Sequence, residues 1–304
     1  MIEKLKIAII TPTYNDAKLL KRLYKSLENQ HNDTFTWIIV DDGSIDNTKE
    51  LISQIKSTAS FEVRPIFKRN GGKCRAVNLA YDKNPDFDFY MVIDSDEEIV
   101  EGAINQLFKK VTQYLQDETV GSIYFWRDMN NDLEMKKRFM NRPNGDCIQN
   151  IYGRKRNDKI YGDGAIGYYN RFLKKYHFKE FEGENFIGEI TILLEAALIG
   201  YADQVVYVDS VISKGSYSKL GLSAQGRKLR IKNPYGMIYY SAMMQSNKMR
   251  NWRINAKYMI SAQAYAWISH IKKTDLKVRG ISASCLKWWA VIPGIIVGEY
   301  WKRI

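Results

Sequence analysis

Four times within the first 120 residues, a short apolar run gives way to a polar cluster and then to a stretch with helical spacing. The runs are 6–11 (KIAIIT), 36–40 (TWIIV), 63–67 (VRPIF) and 87–93 (FDFYMVI). Leu19, Leu20, Leu23 and Leu27 follow the first, and Leu51, Ile52 and Ile55 the second. Ala76, Val77 and Ala80 follow the third, and Ile104, Leu107, Phe108 and Val111 the fourth. The first run, almost continuously apolar and rich in β-branched residues, reads as a buried central strand, and the others read as strands beside it. Strand alternating with helix in this way predicts an α/β fold, a parallel sheet covered by helices. Pro65 places the third strand at an edge, because proline donates nothing to a ladder. Asn15 or Asp16 is expected to cap the first helix, and Asn47 with Glu50 has capping-box spacing at the second.

After residue 118 the alternation changes. Residues 121–126 and 204–212 read as strands and 189–199 as a helix. Residues 127–160 are polar and basic and read as a long connection or as partly antiparallel structure, followed by a Gly-rich stretch at 161–168. Residues 235–270 are mostly helical, with a break near Asn251.

With 45% hydrophobic residues in 304, the chain has the material for a substantial core. Its 46 Lys and Arg against 34 Asp and Glu give a net charge of +12, which suits phosphate-bearing substrates, acidic lipid headgroups or nucleic acid without choosing among them. No nucleic-acid-binding motif is present, and nucleic acid is not expected as a partner. Cys74, Cys147 and Cys285 form no CxxC pair, which argues against a disulfide framework or structural zinc and fits a reducing compartment. The opening MIEKLKIAII is too short for a signal peptide, and no run reaches the roughly 20 apolar residues that span a bilayer.

The polar clusters stand where strands end, the ligand-binding edge of such a sheet. Asp94-Ser95-Asp96 is the strongest: its hard oxygen ligands suit Mg²⁺ or Mn²⁺. Glu97 and Glu98 follow it, either adding to cation attraction or decorating a helix start. Asp41 and Asp42 can accept from a ribose hydroxyl or a base N–H, or Asp42-Gly43-Ser44 simply turns the chain. Gly71-Gly72-Lys73 reads as a phosphate cradle, although its spacing matches neither GxxxxGK[ST] nor GxGxxG.

In order, Thr11-Pro12-Thr13-Tyr14-Asn15, Val40-Asp41-Asp42-Gly43-Ser44, Asn70-Gly71-Gly72-Lys73 with Arg75 and Asn78, and Asp94-Ser95-Asp96 resemble glycosyltransferase family 2, the large inverting group with the A-type fold. The resemblance implies a mostly parallel sheet flanked by helices, with a helical C-terminal region. It implies a nucleotide-sugar donor of the UDP-linked kind most common in the family, and Mn²⁺ or Mg²⁺. Pro12, Tyr14 and Asn15 would line the base pocket and Asp42 would contact the base. Lys73, Asp94 and Ser95 would lie against the donor, and Asp96 would hold the metal.

Further on, Gly162-Asp163, Phe181-Glu182-Gly183-Glu184, Gly221-Leu222-Ser223 and Asn233-Pro234 are similar to acceptor-side segments of bacterial enzymes that extend cell-surface glycans. Glu189 occupies the position of their catalytic base, with Asp163 and Glu184 as alternatives. On this reading residues 1–120 bind the nucleotide sugar, 121–232 bind acceptor and carry the base, and 233–304 form a helical aromatic and basic region. The acceptor would be a glycan or a polyprenyl-linked glycan, and the protein would sit in the cytoplasm on the inner face of the membrane. Trp252, Trp267, Trp288, Trp289 and Trp301 read as anchors at an anionic membrane surface, with Lys302 and Arg303 on headgroups, or as core and homo-oligomer contacts. The alternative function on the same fold is a catalytically silent carbohydrate- or membrane-surface-binding module.

Overall fold

The computed structural model describes residues 5–129, 133–141, 144–154, 163–215, 222–245 and 251–303. The alternation holds through the first part of the chain: β1 (Ile7–Thr13), α1 (Ala17–Glu28), β2 (Phe35–Asp41), α2 (Thr48–Thr58), β3 (Glu62–Phe67), α3 (Lys73–Lys83) and β4 (Phe89–Val92). Then come β5 (Glu98–Ile99), α4 (Ala103–Tyr114), β6 (Val120–Met129), α5 (Leu133–Met140), β7 (Cys147–Gln149), α6 (Ile151–Arg154), β8 (Gly164–Tyr169) and α7 (Asn170–Leu173). The chain continues through α8 (Ile190–Ile199), β9 (Gln204–Gly215), α9 (Leu222–Ile231), α10 (Pro234–Met244), α11 (Trp252–Ile268), α12 (Lys273–Val278) and α13 (Val291–Lys302).

The strand order is β3-β2-β1-β4-β8-β6-β9-β5, with β7 also paired to β9. The first four strands are parallel, and β3, with Pro65, forms an edge as expected. Beyond them the sheet is mixed. β8 runs antiparallel to both β4 and β6, β9 is parallel to β6, and β5 and β7 are antiparallel to β9. Alternate residues of the central strands, Ile7 and Ile9, Trp37 and Ile39, Phe89 and Met91, share one core with Leu20, Leu23 and Leu27 of α1 and Ile52 and Ile55 of α2. Period-2 side chains from the sheet thus meet period-3.6 side chains from the helices. Each fully buried aliphatic or aromatic side chain contributes about 1.5–3 kcal/mol.

The helix starts differ from expectation. Neither Asp16 nor Asn47 caps its helix with its side chain. Asp46 does this at α2, accepting from the Thr48 amide at 3.0 Å and its hydroxyl at 2.5 Å. Asp46 also accepts from the Ala17 amide at 3.4 Å, and Asp16 makes a contact described below.

Two compact units emerge, drawn by packing and not by the division into roles at residues 120 and 232. The first takes residues 1–177 and 196–217 and contains the whole sheet; the second takes 178–195 and 218–304 and is helical. The difference arises because β8 and β9 return to the sheet from far along the chain. In the second unit, Glu184 is buried and accepts from the Tyr235 and Gly236 amides at 2.6 and 2.8 Å, satisfying the open N–H groups at the start of α10. Asn233 reciprocates by accepting from the Asn185 and Phe186 amides at 2.9 and 3.1 Å. Glu184→Ala is therefore expected to cost about 1–2 kcal/mol, as loss of a helix cap does, read as a lowered Tm in thermal unfolding. Asn251 caps α11 through the Arg253 and Ile254 amides, which accounts for the expected break.

Trp301 takes the core reading of the two. It is buried, its ring 4.9 Å from that of Tyr265, with the Arg227 guanidinium 3.9 Å above it. It is a core residue of the second unit and no membrane anchor.

Candidate functional site

Because β1 to β4 are parallel, their C-terminal ends lie on one edge of the sheet, and the loops that follow are stitched together there. Asn15, at the left-handed φ of 55°, donates its amide to Ser44 Oγ at 2.8 Å and accepts the Ile45 amide at 2.8 Å. Asp41 makes the turn, accepting the Ser44 amide at 2.9 Å. Asp42 is left for another task. Its buried carboxylate accepts from the Gly71 amide at 2.9 Å, the Gly72 amide at 2.7 Å and the Lys68 ammonium. The Gly71-Gly72 amides that read as a phosphate cradle therefore hold a carboxylate of the protein itself. Gly43 permits this approach: a Cβ there would stand 2.8 Å from the Asn70 nitrogen, at a φ of 83°.

The Asp94-Ser95-Asp96 turn completes the edge. Ser95 Oγ donates to Asp16 at 2.9 Å, joining the loop after β4 to the loop after β1. Lys73, the first residue of α3, places its ammonium 2.5 Å from Asp94 Oδ1. Arg127, on β6, lies 3.7 Å from the other Asp94 oxygen and 3.4 Å from Asp163, and it also contacts Glu97 directly. The Arg127 amide donates to the Asp163 carbonyl at 3.1 Å. Glu97 is turned inward, where it takes the Ser213 hydroxyl from β9 and the Asp94 amide at 3.2 Å. Glu98 pairs with Arg22 and with Lys214. Neither glutamate starts a helix: Glu98 lies in β5 and α4 begins only at Ala103, which corrects the helix-start reading of that pair.

The electrostatics follow from this packing. Burial works against the Asp94 carboxylate, but Lys73 and Arg127 outweigh it and hold its pKa below the ordinary value. Burial raises Asp96, and the charges of Asp94 and Asp16 raise it further. Asp16 is likewise raised by burial and by Asp46 and Asp94. Glu97 is pushed up to about 7 by burial against the pull of Arg127. Although burial opposes its charge, Arg127 is held protonated by Glu97, Asp163 and Asp94, so the guanidinium stays the fixed positive centre. Negative charge at Asp16 and Asp96 thus exceeds what the local cations neutralise, and hard carboxylate oxygens in that state fit a divalent cation. Among the described residues no group of three or more acidic, His or Cys side chains is placed to hold a metal. A cation shared with donor phosphates needs only one or two protein carboxylates, so the residues present fit that case.

The sequence-predicted residues thus divide. Tyr14 is 46% exposed beside the stitched loops, Lys73 and Asp94 are paired, and Asp96 is partly exposed next to them. Pro12 is buried within β1, Asp42 is turned to the Gly71-Gly72 loop, and Ser95 is buried against Asp16. Asp163 joins the cluster through Arg127. Gly162 and Gly221 lie outside the described residues. Glu184 caps α10, whereas Glu189 is exposed immediately before α8. Sequence reading missed Arg127 and Ser213. Arg127 ends the aromatic run GSIYFWR, and a charge continuing a buried strand was the available signal.

Residues 8–178, more than half of the chain, match the sequence model described as glycosyl transferase family 2. The chain belongs to that family. A relative from Campylobacter jejuni, GalNAc(5)-diNAcBac-PP-undecaprenol beta-1,3-glucosyltransferase, is 22% identical over 267 residues, covering 80% of this chain and 84% of the relative. Two further relatives, both uncharacterized glycosyltransferases, are 36% and 29% identical over shorter stretches, and the chain spans only 24% and 36% of their lengths. Among solved structures, S. aureus TarS 1-349 in complex with UDP-GlcNAc aligns with a TM-score of 0.61 at 15% identity, covering 98% of this chain and 92% of that one. The mannosyltransferase PcManGT of Pyrobaculum calidifontis, in complex with GDP-Man and Mn²⁺, aligns with a TM-score of 0.54 at 14% identity, covering 97% and 87%. These likenesses show that the chain has the A-type glycosyltransferase fold, a mixed sheet flanked by helices with a helical C-terminal region.

Proposed function

We propose that the protein transfers a single sugar, with inversion, from a UDP-linked sugar to a hydroxyl of a glycan or polyprenyl-linked glycan. The observation that carries this reading is the Lys73–Asp94–Arg127 constellation beside Asp96, at the open edge of a family 2 sheet. The UDP-GlcNAc held by TarS supports the donor class, and the undecaprenol-linked substrate named for the Campylobacter relative supports the acceptor class. We place the reaction in cell-surface polysaccharide synthesis, at the inner face of the membrane, on the same support. No described helix is long and apolar enough to cross a membrane.

In the proposed reaction the acceptor oxygen attacks the anomeric carbon while the bond from that carbon to the diphosphate oxygen breaks, so one displacement inverts the centre. Glu189 takes the acceptor proton and the nucleoside diphosphate leaves. Lys73 contributes positive charge beside the diphosphate, and Arg127 keeps Asp94 ionised and oriented. Tyr14 and Asn15 form the wall of the base pocket, and Asp42 shapes that wall by holding Gly71 and Gly72. Asp96 would hold Mn²⁺ or Mg²⁺, which when bound neutralises charge on the diphosphate.

Transfer and donor hydrolysis measured across UDP- and GDP-sugars, with and without Mn²⁺, test the reading. If no nucleotide sugar stabilises the protein or is consumed, sugar transfer is wrong and the silent binding module takes its place. Asp96→Asn is expected to lower turnover roughly 10²-fold or more and to weaken Mn²⁺-dependent donor binding, since a charged ligand becomes neutral. An unchanged metal dependence would remove Asp96 from this role.

A further inference from the structure

α13 is apolar on both faces, and only one of them is covered. Its inner face is built for close approach to α11. A Cβ added at Gly294 would stand 2.4 Å from Gln263 Cβ, and one at Gly298 would stand 3.1 Å from Trp267 Cδ1 and 3.3 Å from the Ala264 carbonyl oxygen. On the outer side, Trp288, Ile292, Ile296 and Tyr300 are 85, 72, 64 and 63% exposed. They are spaced by four, so they form one stripe that runs onto the helix from the turn before it. Trp289 and Val291 flank it. A helix apolar all round belongs inside a core or in lipid, yet half of this one faces outward. Its twelve residues reach about 18 Å, well short of a span.

The surrounding charge indicates what covers the stripe. Between Lys272 and Arg303 there are seven basic residues and two acidic ones. Lys287 stands at the head of the stripe, with Lys302 and Arg303 at its foot. One of the two acids, Glu299, is taken up by Lys302 at 2.8 Å and by the Trp267 indole N–H at 2.7 Å. Tryptophan and tyrosine rings with lysine and arginine at both ends favour the boundary between headgroups and acyl chains. A second copy is a poorer occupant, because antiparallel pairing of two such stripes sets Lys287 of each against Lys302 and Arg303 of the other.

We propose that α13 lies in the plane of an anionic bilayer surface, burying Trp288, Ile292, Ile296 and Tyr300 at the headgroup boundary. Lys287, Lys302 and Arg303 then meet lipid phosphates. The inference is independent of sugar transfer, because it stands on the second unit alone. It also changes which residues anchor the protein: Ile292, Ile296 and Tyr300 enter, and the buried Trp301 leaves.

The test is co-sedimentation of the full chain with mixed phosphatidylcholine–phosphatidylglycerol vesicles. Binding is expected at low salt, weaker on phosphatidylcholine alone and weaker as salt rises. The double substitution Ile292→Asp with Ile296→Asp is expected to lower partitioning roughly tenfold or more. Its Tm should match that of the unchanged protein, because both side chains face outward; Trp288→Ser provides a second variant should the pair disturb folding. Three results would overturn the proposal: no vesicle binding at low salt, equal binding by the substituted protein, or a dimer in sedimentation velocity that the same substitutions dissociate. Donor hydrolysis measured without vesicles reports on the transfer reading separately.

Discussion

Glu189→Gln is expected to lower sugar-transfer turnover roughly 10²–10⁴-fold while donor and Mn²⁺ binding persist, the usual worth of a general base. Glutamine keeps the size and most of the hydrogen-bonding shape of glutamate but accepts no proton. Glu189 is exposed and stands directly before α8, whose first turn is fixed where Thr191 donates its amide to the Gly188 carbonyl at 3.0 Å. A carboxylate carried by a rigid helix start needs little reordering to meet an acceptor hydroxyl. Of the alternatives, Glu184 accepts from two amides of α10, and Asp163 contacts Arg127 and accepts from the Gly164 amide. The measurement is turnover for Glu189→Gln, Asp163→Asn and Glu184→Gln, each with its Tm. Near-normal turnover in Glu189→Gln together with its loss in Asp163→Asn, at unchanged Tm, would move the base to Asp163.

Arg127→Met should produce the largest loss of stability. Methionine fills much of the volume but leaves Glu97 buried without its cation. Removing one partner of a buried pair costs about 3–5 kcal/mol where the remaining group stays charged. The full loss is therefore expected at alkaline pH: Glu97, pushed up to about 7 beside Arg127, goes higher without it and takes up a proton at neutral pH. In a chain of this size that is a fall in Tm on the order of 10 °C. Adding Glu97→Gln should recover a large part of it, since the second change removes the orphaned charge and leaves an acceptor for the Ser213 hydroxyl. Activity should follow a different course. Asp94 loses one of its two cations in both variants, so donor affinity stays low even where stability returns. Recovery of donor affinity in the double variant would show Arg127 to be a packing residue alone; absence of any stability recovery would show that Glu97 is not its main partner.

These two residues mark how far the site could be read from sequence. Glu189 was singled out because it belongs to an ordered run of motifs, and its exposure was not legible there. Lys73, Asp94 and Asp96 were singled out because they directly follow elements with clear periods, and the structure brings Lys73 and Asp94 into contact. Arg127 was missed because its partners are not local. Glu97 lies 30 positions away, and Ser213, the other partner of Glu97, lies 116 positions from it. Asp42 was read as a ligand for a base, yet its carboxylate closes on amides 29 and 30 positions downstream. Nothing in the spacing of those residues announces such a closure.

By itself, the sequence determined what repeats over short distances: three buried strands and an edge strand, the helices between them, the polar clusters at the strand ends and the family to which those clusters belong. Periods of 2 and 3.6 residues and the turn residues between them act within about a dozen positions, so they are written locally. Only the tertiary structure decided that β8 and β9 return to make the sheet mixed, that Glu97 turns inward to Arg127, and that Trp301 is covered while Ile292 and Ile296 are not. Those outcomes depend on which distant surface each side chain meets. Burial on that scale is set by the packing of whole elements, and two residues of the same type on one helix can end on opposite sides of it.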